Sequence, residues 1–350
     1  MGPTGGSGRA PDWVHAWAPA LDELGARIRG AVRAALAEAH ATEGRGGELA
    51  AAVGVGAGDV TFGIDAVAEA EVTRWLEQEA AQRPLSLLTE DAGWRHRAPA
   101  SGGGSEEVSG FDHGGPRLVL DPIDGTRPLM HDLRAAWVVL GGAGPGAGAP
   151  NLSDLDAGLL TEIPDTRGRR GRVLTAARGC GARLRELDLV SGDVAADREL
   201  RADDDPRLDR GHFPFFGFTP EGRAAAQTLS RDVFQALEGI DPLTILDDQL
   251  CSNGGQLALL ACGTYRAVVD ARVTLNRIHG TDVQTAKPYD LAGGIVVARE
   301  AGCVVEHPDG APLDMPIDAI TPVEFAAYHN VATRAGMAPG LARALASSGG

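Results

Sequence analysis

The segment Leu118-Val119-Leu120-Asp121-Pro122-Ile123-Asp124-Gly125-Thr126 constrains this chain more than any other stretch. A short apolar run of this kind reads as a buried strand. It delivers a carboxylate, Asp121, to the strand's end, where Pro122 is expected to stop the sheet because it has no N–H to give. Asp124 follows after one more residue, and Gly125 permits a tight turn. Hard divalent cations such as Mg²⁺ prefer carboxylate, carbonyl and water oxygens. Two aspartates so placed can share one ion and reach for a second, while the amides of Gly125 and Thr126 open a helix toward a phosphate. Asp-Pro and Asp-Gly alone also mark ordinary turns, so the nine-residue combination carries the reading.

The rest of the chain supplies layers around that strand. At 350 residues it fits two packed subdomains. Aromatic residues are only 5%, so Ala, Val and Leu must fill most of the core. Apolar residues at helical spacing predict a helix from Asp12 to about His40 and another from Asp65 to Ala81. Pro84–Leu88 predicts a strand ending in Thr89-Glu90-Asp91, followed by a polar insertion over 92–115. Strands are expected at 117–120, 137–140, 265–269 and 304–305, with short strands in 155–187. Glycine-rich loops are expected at 42–58 and 141–149, and helices at 221–238, 253–262 and 290–301. The organisation expected is a disordered tail over 1–11, an α+β subdomain over 12–187 and an α/β subdomain over 188–345. The fold class is a layered α/β protein.

Charge narrows the partners. A formal net charge of −16 repels phosphate backbones and anionic lipid, which argues against nucleic acid and membranes. Bound cations would still let such a surface accept an anionic ester. The four cysteines form no C-x-x-C pair, and no run of 18 apolar residues exists, so a cytoplasmic protein is expected. Phosphate-binding G-x-x-x-x-G-K-[ST], G-x-S-x-G and H-E-x-x-H motifs are absent.

Asp121 to Thr126 resembles the signature of the inositol monophosphatase-like family, the lithium-sensitive metal-dependent phosphatases that include fructose-1,6-bisphosphatases and bisphosphate nucleotidases. Three further segments stand in the family's order. Asp59-Val60-Thr61 with Asp65 and Glu69 is similar to its early acidic segment. Leu88-Thr89-Glu90-Asp91 resembles its G-E-E segment. Pro288-Tyr289-Asp290-Leu291-Ala292-Gly293-Gly294, with Arg299-Glu300-Ala301-Gly302, is similar to its second signature.

The resemblance implies an alternating α/β/α/β/α sandwich and hydrolysis of a small phosphate monoester of an inositol, sugar or related polyol. It implies two or three Mg²⁺ ions, with Mn²⁺ as a substitute. Glu90, Asp121 and the Ile123 carbonyl would hold the first ion, and Asp121, Asp124 and Asp290 the second. A weaker third would lean on Glu90. Asp65 and Thr126 would orient and deprotonate the attacking water, with Glu90 also counted as catalytic. Gly125 and Thr126 would meet the phosphate. Asp65 starts a helix and Asp290 precedes one, so capping is the competing explanation for both.

Departures bear on substrate. Thr89 and Asp91 replace the glycine and second glutamate of the G-E-E segment, and Tyr289 stands where tryptophan is common. Arg127, Ser252, Arg266 and Lys287 are the substrate candidates. A sugar-bisphosphate or 3′-phosphonucleotide phosphatase is one alternative. A non-catalytic sugar-phosphate-binding protein is the other. A small phosphorylated metabolite is the expected partner, and family precedent suggests a homodimer.

Overall fold

A computed structural model describes residues 8–42, 47–56, 59–209, 211–237 and 239–348. In chain order the elements are α1 (Asp12–Thr42), β1 (Ala52–Gly56), β2 (Asp59–Phe62), α2 (Gly63–Ala80), β3 (Leu85–Thr89), β4 (Gly93–Pro99), β5 (Ser105–Glu107) and β6 (Arg117–Asp124). There follow α3 (Thr126–Leu129), β7 (Ala136–Ala143), β8 (Ala157–Ile163), β9 (Arg170–Ala177), β10 (Ala182–Asp188), β11 (Val194–Leu200), β12 (Gly211–His212) and α4 (Pro220–Gln235). The chain closes with β13 (Ile245–Leu246), α5 (Asn253–Ala261), β14 (Ala267–Asp270), α6 (Arg272–His279), α7 (Pro288–Glu300), β15 (Val304–Glu306), β16 (Phe325–Tyr328) and α8 (Val331–Ser348).

Period-two burial builds the layers. In β6, Leu118 and Leu120 face α1 and α2, joining Leu24, Ile28, Val32 and Trp75 in one core. Val119 faces the opposite way, where Leu257 and Leu260 of α5 and Leu291 and Ile295 of α7 form a second core. The same switch occurs in β16: Phe325 and Ala327 join the second core, while Ala326 and Tyr328 face α4 and α8 in a third. The result is helices, a nine-stranded sheet ordered β11-β10-β9-β8-β7-β6-β3-β4-β5, helices α5 and α7, a three-stranded sheet β14-β16-β15, and outer helices. That is the α/β/α/β/α alternation the resemblance implied.

Several expectations are corrected. Pro122 does not end its strand. The β6–β7 register slips between Asp121 and Asp124, so the proline sits in a bulge and pairing resumes at Asp124 with Trp137. The segment 92–115 is no loose insertion, because β4 pairs with β3 and β5 pairs with β4 at the sheet edge. Gly141–Ala143 belong to β7. The nine-stranded sheet also runs past residue 187 to Leu200, because β11 pairs along β10. Residues 1–7 of the expected tail, with 43–46 and 57–58 of the expected loop, lie outside the described residues. Ala10 is buried and the Gly8 amide donates to Gly179, so the end of the tail is held. Gly47–Ala50 forms a short 3₁₀ turn ahead of β1.

Helix α7 sits close on the large sheet because glycines face each other there. A Cβ on Gly293 would stand 2.3 Å from the Leu140 carbonyl oxygen, and one on Gly158 would stand 2.4 Å from that of Gly293. Glu300 at the end of α7 accepts the Gly179 and Gly181 amides, both at 2.8 Å, and ties the helix to the β9–β10 turn. Gly293→Ala is therefore expected to lower unfolding free energy by about 2 kcal/mol or more, since backbone rather than a flexible side chain must move. Urea denaturation would measure it; a loss under about 0.5 kcal/mol would show that the approach is not tight.

Candidate active site

The site forms where β3, β6 and the starts of α5 and α7 end together. One cavity of about 140 Å³ is lined by Asp65, Glu90, Asp121, Ile123, Asp124, Gly125, Thr126 and Asp290 among others. Strand β6 presents Asp121, whose Oδ1 accepts the Ile123 amide at 3.0 Å across the bulge. Gly125 follows at φ +107°, a left-handed conformation that an L side chain rarely takes. That turn starts α3 with Thr126, whose hydroxyl lies 2.8 Å from Asp65 Oδ1 and 2.9 Å from the Ile123 carbonyl.

Asp65 serves two purposes at once. Its Oδ2 accepts the Phe62 amide at 2.8 Å, capping α2, and its Oδ1 faces Thr126. Asp290 behaves likewise: its Oδ2 accepts the Lys287 amide at 2.8 Å at the start of α7, while the residue lines the cavity. Capping and site membership are thus compatible at both positions. Asp124 crosses to the next layer, accepting Ser252 Oγ at 2.8 Å and the Gly254 amide at 2.6 Å. Ser252 itself caps α5 by accepting the Gly255 amide. Its hydroxyl therefore orients a carboxylate, although the residue also borders the cavity.

Negative charge is concentrated here, offset only in part by Arg272, whose charge acts on Asp290. Burial, then the charges of Asp124, Asp290 and Glu90, hold the Asp121 carboxyl well above the usual range. Burial, then Asp124, pushes Asp290 up to about 7. Burial also raises Asp124 to about 6, against the hydrogen bonds from Ser252 and the α5 amides. Tyr289 lines the cavity beside Glu90 and Asp290, where the end of β3 meets the start of α7. Among the described residues no three His, Cys, Asp or Glu side chains are close enough to form a finished metal cluster. The donors themselves fit a hard divalent cation: buried carboxylates of like charge beside the Ile123 carbonyl.

The substrate candidates separate. Arg127 and Ser252 line the cavity. Lys287 lines a neighbouring cavity of about 380 Å³ that shares Glu90, Tyr289 and Asp290 as a wall. Arg266 is elsewhere, buried against Asp203 and the carbonyls of Asp205 and Arg207, where it fastens the 201–209 segment. Nothing in the sequence around Arg266 showed this, because its acceptors lie some sixty residues earlier. Reasoning on sequence missed Arg272, Phe216 and Phe218 on the cavity wall. Only the alternation of Asp270 and Arg272 just after an apolar strand hinted at a buried pair.

Asp290 keeps its proton in the fold at pH values where the unfolded chain, with its carboxyl near 3.8, has lost it. Its contribution to stability is present at low pH and is lost as pH rises from about 4 toward about 7. In EDTA the unfolding free energy should therefore decline between about pH 4 and about 7, on the order of a kcal/mol or more. Asp290→Asn should flatten the decline; an unchanged slope in that variant would remove Asp290 as its source.

The profile of the inositol monophosphatase family matches residues 21–331. Among curated proteins no sequence match is found. Similar solved structures include a hypothetical protein from Pyrococcus horikoshii described as having similarities for inositol-1 monophosphatase, at 16% identity and a TM-score of 0.60, covering 95% of this chain and 98% of that one. Mycobacterium tuberculosis SuhB aligns at 18% identity and a TM-score of 0.58, covering 95% and 98%. The fructose-1,6-bisphosphatase of Leishmania major in holo form aligns at 13% identity and a TM-score of 0.63, covering 94% of each chain. At these identities the likeness speaks for the fold alone. The family profile spans most of the sequence and takes in all four acidic segments, and the chain belongs to the inositol monophosphatase family.

Proposed function

We propose that the chain hydrolyses a small phosphate monoester with the help of Mg²⁺. The observation that carries this reading is the Thr126–Asp65 hydrogen bond, set in one cavity with Glu90, Asp121, Asp124 and Asp290. In this reading Glu90, Asp121 and the Ile123 carbonyl hold one ion and Asp121, Asp124 and Asp290 another, with a weaker third leaning on Glu90. Mg²⁺, or Mn²⁺ in its place, supplies charge for the phosphoryl oxygens and acidifies water. Asp121, Asp124 and Asp290 each have burial working against the ionised form, which a divalent cation reverses.

The chain's own residues do the rest. Asp65 is held by the Phe62 amide, so its Oδ1 stays fixed to accept the Thr126 hydroxyl proton. Thr126 Oγ is then free to accept a proton from the attacking water and to aim that water at phosphorus. The Gly125 and Thr126 amides, turned by the positive φ of Gly125, are the donors to the phosphate. Water attacks in line and the alcohol leaves, so no covalent phosphoenzyme forms. Among the described residues no helix is long and apolar enough to cross a membrane.

Inorganic phosphate released from a panel of inositol, sugar and nucleotide phosphates tests this, with Mg²⁺, with EDTA and with Li⁺ added. Release should need Mg²⁺ and fall with Li⁺. Asp121→Asn and Asp290→Asn should abolish it together with calorimetric Mg²⁺ binding. Asp65→Asn should keep metal binding and lose about 10²–10⁴ in kcat, the usual contribution of a positioned base. Undiminished release by Asp121→Asn and Asp290→Asn would sink the reading.

A further inference from the structure

Asp124 and Asp290 come from different layers, and hydrogen-bonded paths from both meet at one buried ion pair. Asp270 closes β14 and Arg272 opens α6, with side chains 0% and 6% exposed. The Arg272 Nε donates to Asp270 Oδ1 at 2.8 Å, and a terminal nitrogen donates to Asp270 Oδ2 at 2.6 Å. A two-pronged contact of this kind fixes direction as well as distance.

One path leads to Asp124. Asn253, the first residue of α5, donates from Nδ2 to Asp270 Oδ2 at 3.3 Å. Its amide donates to Asp124 Oδ1 at 3.3 Å, and the Gly254 amide donates to Asp124 Oδ2 at 2.6 Å. The other path leads to Asp290. The second terminal nitrogen of Arg272 donates to the Gln284 carbonyl at 2.6 Å. One turn along α6, Asn276 grips Val283 twice, donating to its carbonyl at 2.7 Å and accepting its amide at 3.1 Å. Three residues after Gln284, the Lys287 amide donates to Asp290 Oδ2 at 2.8 Å. Segment 283–287 therefore enters α7 from a fixed point on α6.

Like charge acts between Asp124 and Asp290, so their spacing has to be imposed from outside the pair. Mg²⁺ demands near-ideal octahedral geometry from its oxygen ligands, and small displacements of a carboxylate weaken it. We infer that Asp270 and Arg272 are positioning residues that set the separation of Asp124 and Asp290, and with it the affinity of the ion these two acids share. The inference rests on the phosphatase reading for the identity of that ion and assigns the pair a role outside the ligand set.

Two variants test it. Asp270→Asn combined with Arg272→Gln removes both charges, so no buried ion is left alone. Asn253→Ala cuts only the path to Asp124. Leu341→Ala, in the buried face of α8, is the control for stability lost away from the site. Calorimetric titration with Mg²⁺ should show affinity lowered about 10–100-fold in the double variant and about threefold or more in Asn253→Ala, the usual effect of removing partners behind metal ligands. Leu341→Ala should bind as the native protein does. A loss below about threefold in both variants, or an equal loss in Leu341→Ala, overturns the inference. Should the double variant fail to fold, Asn253→Ala is judged alone by the same limit. If the native protein takes up no Mg²⁺, the metal reading fails separately, and hydrogen exchange without metal decides. Gly254 and Lys287 amides exchanging about tenfold faster in the double variant, and Gly254 in Asn253→Ala, uphold the inference. Unchanged exchange, or the same acceleration in Leu341→Ala, overturns it.

Discussion

Everything in this protein is arranged around carboxylates held out of water beside one another. Asp121 and Asp124 are buried and Asp290 is half-buried, and Asp121 and Asp290 both lie under the field of Asp124. Such a cluster is unfavourable by itself. The fold contains the cost by giving each carboxylate a backbone donor. Asp121 has the Ile123 amide, Asp124 the amides opening α5, and Asp290 the Lys287 amide opening α7. These donors are the unsatisfied N–H groups of helix starts and a bulged strand. The same bonds that make burial tolerable also fix where each acid points.

That arrangement explains why the layers approach so closely. Asp124 sits on the large sheet yet accepts from α5, and Asp290 belongs to α7, which lies over β7 and β8 with glycine against backbone. Ordinary side chains at Gly141, Gly158 and Gly293 would lift the helix away from the sheet and carry Asp290 with it. Packing and electrostatics are therefore one constraint here: the spacing of the carboxylates is the spacing of the layers.

Much of the fold was legible because burial in it is periodic. The α1 stripe of Leu24, Ile28, Val32 and Leu36 and the alternation in β6 appear in sequence as they do in the cores. What escaped notice followed from pairing partners. Pro122 reads as a stop, but a bulge opposite β7 absorbs its missing donor. Residues 92–115 read as a polar insertion because β4 and β5 edge the sheet, where strands carry few apolar residues. Strand β16 and helix α8, which complete the outer layers, gave too short or too alanine-rich a pattern to stand out.

At the site, the sequence by itself determined the chemistry of the donors: the acids, the threonine and the glycine that permits the turn all lie in compact local motifs. Residues within a few positions of each other are brought together by local backbone geometry, and that is readable from spacing. Only the tertiary structure decided which distant residues join them. It brought Asp65 to Thr126 and Ser252 to Asp124. It also put Arg272 on the cavity wall and took Arg266 away to the 201–209 segment. A guanidinium's role depends on the acceptors that folding places around it, and those come from chain segments whose distance along the sequence carries no record of their contact.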